Sequence, residues 1–238
     1  VCVLAFSRGV DPRWPLILAG NRDERHDRPT APLARWRDNP ELLAGRDLEG
    51  GGTWLGVSSL GRLATVTNVR RPGGPEPGRP SRGRLVQDVL MGADPALSDL
   101  ADYNPFNLLL FDADGGSLLS NAPAPARRPL RPGLYGLANG PLDEPAGRVL
   151  RLKAGLAAWL EAGSGGLDGL FDLLGDDHAP DSHDSTPVFI RNLIYGTRCS
   201  TVVRVDAQGR GEMVERRFDA AGGFIGESAL TFVWPAPG

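Results

Sequence analysis

Cys2 is the residue with most to offer chemically. A thiol has a pKa of about 8.5 and an α-amino group one of about 7.7–8.0. A cysteine whose own α-amine is free therefore carries nucleophile and base together near neutrality, as N-terminal threonine nucleophiles do. Val1 is read as a non-ATG start decoded as methionine, whose removal exposes Cys2. The plainer alternative is a small apolar residue opening a strand. A second group of reactive types follows in Asn21-Arg22-Asp23-Glu24. A guanidinium near a thiol favours thiolate, and a carboxylate near an α-amine orients it.

These groups meet only if the chain between them doubles back. Val1–Phe6 and Leu16–Ala19 are short apolar runs, separated by Gly, Asp and Pro turn signals in 7–15. They predict a hairpin whose second strand ends at Gly20-Asn21 and brings Arg22 and Asp23 back beside Cys2. Thr53–Ser58 and Leu63–Asn68 predict a further strand pair, and Phe106–Phe111 with Ser117–Ser120 another. Tyr135–Ala138, Val188–Ile190, Ser200–Val205, Glu212–Phe218 and Leu230–Trp234 are further strand candidates. Helical spacing marks Ser81–Met91, Glu144–Leu160 and Leu167–Leu174. Segments 25–49, 71–83 and 176–187 are expected to be variable loops. Strands bracket a helical middle, which predicts an α+β fold rather than alternating βαβ units. No repeat or linker divides the chain, so residues 1–238 are expected to form a single domain.

Composition excludes several functions. The net charge of −3 argues against a nucleic-acid partner, and Lys153 is the only lysine among scattered arginines. No stretch reaches the roughly 20 apolar residues of a membrane span, and the N-terminal run is too short for a signal peptide. A cytoplasmic location follows, in which a Cys2–Cys199 disulfide is not expected. His178, Asp181, His183 and Asp184 invite a metal reading, but two histidines five apart in a loop lack zinc-helix spacing, and no metal is assigned. Gly50-Gly51-Gly52 lacks the Lys-Ser/Thr of a phosphate loop; its glycines are read as permitting close backbone approach.

Cys2, Asn21-Arg22-Asp23-Glu24, Gly51-Gly52-Thr53-Trp54-Leu55-Gly56, Thr67-Asn68, Asn139-Gly140-Pro141 and Tyr195-Gly196-Thr197-Arg198 together resemble the NRDE family (transport and Golgi organisation protein 2). That family is similar in turn to N-terminal-nucleophile hydrolases such as the choloylglycine and penicillin V acylases. The resemblance implies a four-layer αββα sandwich of two antiparallel sheets. It implies Cys2 as nucleophile, Arg22, Asp23 and Arg198 as the polar groups around it, and Asn68 and Asn139 as oxyanion donors. The acylases space the Arg and Asp more widely than Arg22-Asp23. Asn21, Trp54 and Tyr195 are assigned to substrate binding. The implied reaction is hydrolysis or transfer at an amide or related acyl bond through a Cys2 thioester, on a small-molecule substrate and without a cofactor. The alternative is a carrier of a hydrophobic ligand (haem, acyl-coenzyme A or lipid) on the same fold.

Overall fold

The computed structural model of the chain describes residues 2–112, 115–163, 165–179 and 186–235. The chain opens with strands β1 (Val3–Arg8), β2 (Leu16–Arg25), β3 (Thr30–Arg35), β4 (Leu42–Asp47), β5 (Leu55–Ser58) and β6 (Arg62–Asn68). Helices α1 (Arg82–Leu90) and α2 (Leu97–Leu100) precede β7 (Phe106–Asp112), β8 (Gly115–Ser120), β9 (Ala126–Leu130) and β10 (Gly133–Leu137). Helices α3 (Gly147–Ala162) and α4 (Asp168–Leu174) lead to β11 (Tyr195–Val205), β12 (Arg210–Phe218) and β13 (Phe224–Val233). Strands and helices are segregated, which is the α+β class expected.

Two compact units are interleaved in sequence. One comprises Val1–Asp27 and Pro132–Thr231, the other Arg28–Arg131 and Phe232–Gly238. The first holds a six-stranded sheet in the order β10-β1-β2-β11-β12-β13, in which β1 is interior. The second holds a seven-stranded sheet, β3-β4-β5-β6-β7-β8-β9, in sequence order. The registered strand pairs of both are antiparallel.

In the first unit, Val3, Ala5, Ile17, Ala19, Val202 and Val214 line one sheet face. Val149, Leu152, Leu156 and Trp159 of α3, with Leu170, Phe171 and Leu174 of α4, pack on it. Each fully buried valine, leucine, isoleucine or phenylalanine among them contributes roughly 1.5–3 kcal/mol. Helix α3 ends at Gly163, whose φ of 66° is left-handed and suits glycine. Arg13 closes that end by donating to the carbonyls of Leu160 (2.9 Å) and Gly163 (3.1 Å), while Asp11 holds the same guanidinium. In the second unit α1 places Leu85, Val86, Val89 and Leu90 on Ala64, Val66, Leu108 and Leu110. Gly52 lies so close to the start of α1 that a Cβ there would stand 2.2 Å from the carbonyl carbon of Gly83.

Several expectations need correction. Strand β2 does not stop at Gly20-Asn21 but runs to Arg25, with its first eight residues buried. It lies between β1 and β11, so its polar end is paired on both sides rather than solvated. Segment 25–49 contains two strands, β3 and β4. Residues 188–190 form a bend rather than a strand, and β11 begins five residues earlier than expected, at Tyr195.

Candidate active site

The N-terminal end of β1 and the C-terminal end of β2 meet where Val3 opposes Asn21. Continuing that ladder by one residue sets Cys2 opposite Arg22. Arg22 opposes Cys199 on β11, and Cys199 opposes Arg217 on β12. Cross-strand partners share a face, so Cys2, Arg22, Cys199 and Arg217 form one row across the sheet. The row faces away from α3 and α4, because Val3 alternates toward them. Arg22 is 5% exposed, and its guanidinium reaches the Glu24 carboxylate at 4.0 Å.

The alternation that places Arg22 with Cys2 turns Asp23 to the helix side. There Asp23 is 2% exposed and held at both oxygens. Thr197 donates its hydroxyl to Oδ1 at 2.7 Å, and Arg148 of α3 lies 3.3 Å from Oδ2. The Tyr195 hydroxyl donates to the Asp23 carbonyl oxygen at 2.8 Å. Burial pushes the Asp23 carboxyl above its ordinary pKa, against the pull of Arg148 and Thr197.

Arg148 belongs to this network, and sequence reasoning did not single it out. It donates to Asp23, to Asn139 Oδ1 at 3.0 Å, and to the Cys2 carbonyl oxygen at 3.2 Å, and its side chain is 2% exposed. One guanidinium thus ties together three residues of the expected site. A signal was present in the sequence. A cation in the first helical turn runs against the helix dipole, at a cost of roughly 0.3–1 kcal/mol, and asks for a specific partner.

Arg198 sits elsewhere in the arrangement. Asp23 opposes Thr197 while Arg22 opposes Cys199, so Arg198 is the extra residue of a β-bulge. Its guanidinium donates to the carbonyls of Arg25 (2.8 Å) and His26 (3.0 Å). Burial lowers its pKa, and the Arg22 charge lowers it further, so the two arginines are electrostatic neighbours. Among the hydrogen bonds above, the arginine that reaches Asp23 is Arg148.

Asn21, expected at the substrate, has its amide committed to the fold. Its Nδ2 donates to the carbonyls of Leu174 (2.8 Å) and Val188 (2.9 Å), and its Oδ1 accepts from the Ser200 hydroxyl at 2.7 Å. Asn68, at the exposed end of β6, and half-buried Trp54 belong to the second unit. Burial pushes the Cys199 thiol well above its ordinary pKa; Glu215 adds to the shift and Arg22 opposes it. His178 hydrogen-bonds Asp176, whereas Asp181, His183 and Asp184 lie outside the described residues. Among the described residues no cluster of three or more His, Cys, Asp or Glu could hold a metal ion. No helix among them is long and apolar enough to cross a membrane.

The fold defines a class. An N-acylethanolamine-hydrolyzing acid amidase ortholog from Caenorhabditis elegans superposes with a TM-score of 0.51 at 12% identity, over 84% of this chain and 92% of that one. A cysteine-to-alanine mutant of the conjugated bile acid hydrolase from Clostridium perfringens gives 0.52 at 10% identity, over 90% and 88%. The architecture is that of N-terminal-nucleophile hydrolases, an α+β fold with antiparallel sheets. A sequence model described as Transport and Golgi organisation 2 matches residues 1–220, and the chain belongs to that family. Homologues from mouse (Mus musculus, 32% identical) and human (Homo sapiens, 33%) each align over 91% of this chain and 92% of their own length.

Proposed function

We propose that the protein is an N-terminal-cysteine acyl hydrolase or acyltransferase that works through a thioester on Cys2. The observation that carries this reading is the buried network in which Arg148 joins Asp23, Asn139 and the Cys2 carbonyl at the head of β1. A cysteine serving only as strand filler needs no such anchoring of its backbone. In the first step the Cys2 sulfur bonds to the acyl carbon while its proton passes to the Cys2 α-amine. The bond to the leaving amine then breaks, and the amine departs with that proton. Water or an acceptor nucleophile attacks the thioester and restores the thiol. Arg22 stands next to Cys2 in the cross-strand row and places a cation beside the reacting residue. Asn139 supplies an oxyanion donor, a class of contact whose removal costs roughly 3–4 kcal/mol. Asp23 orients the α-amine.

The two solved relatives are named for hydrolysis of N-acylethanolamines and of conjugated bile acids, so N-acyl amides are the first substrates to try. The mechanism requires Cys2 to be the first residue of the mature protein, which intact mass reads directly. The test is to incubate the native protein with a panel of N-acylethanolamines and glycine-conjugated bile acids, quench in acid, and map the acyl group. An acyl adduct on Cys2 that is absent from the Cys2→Ala protein supports the reading. A Cys2 still blocked by a preceding residue, or free Cys2 with no adduct or turnover, overturns it. That outcome favours a carrier of haem, acyl-coenzyme A or lipid.

A further inference from the structure

We propose that Arg148 is a positioning residue that fixes the sense of the Asn139 amide and so prepares it as an oxyanion donor. The inference rests on the Cys2 acyl-transfer reading above. An arginine side chain carries only donors. The amide atom facing its guanidinium at 3.0 Å must therefore be the carbonyl oxygen of Asn139. The reversed amide would set N–H against N–H in a buried position, where an unmatched polar contact costs on the scale of a lost hydrogen bond. The Nδ2 group is thereby turned away from α3. An oxyanion hole is effective only if its donor is already oriented when charge develops on the acyl oxygen. Asn139 sits just after β10, with 9% of its surface exposed, and its local turn does not by itself dictate which end of the amide faces inward.

The remaining contacts extend the same logic. One guanidinium nitrogen serves both Asn139 Oδ1 and the Cys2 carbonyl, while the other faces Asp23. The planar fork holds the backbone of the nucleophilic residue and the oxyanion donor in one frame, and Asp23 keeps the guanidinium from rotating. A lysine retains the charge but has a single nitrogen and no fixed plane. It can pair with Asp23 or approach Asn139, but it cannot hold the three groups in this geometry.

Two reactions of the same thiol separate positioning from mere integrity of the fold. Iodoacetamide alkylates a thiolate by displacement at saturated carbon and passes through no oxyanion. p-Nitrophenyl acetate acylates it. The sulfur–acyl bond forms, the bond to p-nitrophenolate breaks, and the thiol proton passes to the α-amine. Only the second reaction draws on Asn139. For Arg148→Lys, Cys2 acylation should fall on the order of 10²-fold, the scale of loss from a misplacement of about 1 Å, while alkylation stays within about twofold. In the Asn139→Ala background, adding Arg148→Lys should change acylation little further, because the shared interaction is already gone. Acylation and alkylation that fall together, or an undiminished effect in the Asn139→Ala background, overturns the assignment. If Arg148→Lys does not fold, Asn139→Ala carries the test: acylation equal to the native protein removes the donor that Arg148 is argued to orient, and a selective loss of acylation upholds it. A native protein whose Cys2 alkylates but is never acylated rejects the acyl-transfer reading itself, a result distinct from either outcome for Arg148.

Discussion

Replacing Asn21 by Ala should act on stability before it acts on reactivity. Its amide satisfies two buried carbonyls, of Leu174 and Val188, and accepts the Ser200 hydroxyl, all within 2.9 Å. The residue is 3% exposed, so water does not readily replace the lost amide. Each orphaned buried partner costs about 1–3 kcal/mol. Three of them set a floor near 3 kcal/mol, a large part of the roughly 5–15 kcal/mol that holds a domain folded. With a urea m-value of about 3 kcal/mol/M, the upper end of the usual range, the unfolding midpoint should drop by about 1 M. Tryptophan fluorescence against urea reads this directly. The alkylation rate of Cys2 in the folded variant should stay near the native value, since the Asn21 side chain points to α4 and not along the Cys2 row. A midpoint shift below about 0.3 M (roughly 1 kcal/mol at that slope) together with slowed reaction at Cys2 would refute the structural role and return Asn21 to the substrate site.

The two thiols should separate cleanly in native protein. Iodoacetamide near neutral pH should label Cys2, and Cys199 only after unfolding, because burial pushes the Cys199 pKa up and shields its sulfur; peptide mapping that finds equal labelling contradicts this. Asp11 gives a pH-dependent contribution of known sign. The hydrogen bonds from Arg13 hold its folded pKa below the unfolded value, so its stabilisation is complete above about pH 4 and is lost as pH falls through the folded pKa. Asp11→Asn should therefore flatten the acid limb of a stability–pH curve while lowering stability at pH 7, and an unchanged acid limb counts against the pairing.

Much of the scaffold was legible because the local and tertiary signals agree. The β1–β2 hairpin, α1, α3 and α4 follow from apolar runs and periodicity. The failures have particular causes. Strands β3 and β9 each contain a proline, Pro32 and Pro129, which argues against a strand in isolation. Both are edge strands of their sheet, where a missing N–H is tolerated. The polar end of β2 does not read as strand because its buried partners come from residues 125 to 179 positions away, among them Arg148, Val188 and Ser200. The same distance hid Arg148. Nothing local ties a helical arginine to Cys2; only the packing of α3 against β1 does. The bulge at Arg198 is likewise invisible to a period-two reading, since Thr197 and Cys199 share sequence parity and yet project from opposite faces.

The interleaving of the two units has a consequence for synthesis on the ribosome. Strands β1 and β2 are made well before their outer neighbours: β10 begins at Gly133 and β11 at Tyr195. At roughly 5–20 residues per second, the wait from the end of β2 to the start of β11 is about 10–30 s. During that time the strand that carries Arg22 and Asp23 has an apolar, unpaired edge, a recognised route to wrong pairing. All the strands of the second unit's β3–β9 sheet emerge in the same interval. The nascent chain therefore completes its inserted sheet first, and the strands around Cys2 are translated before that sheet but enclosed after it.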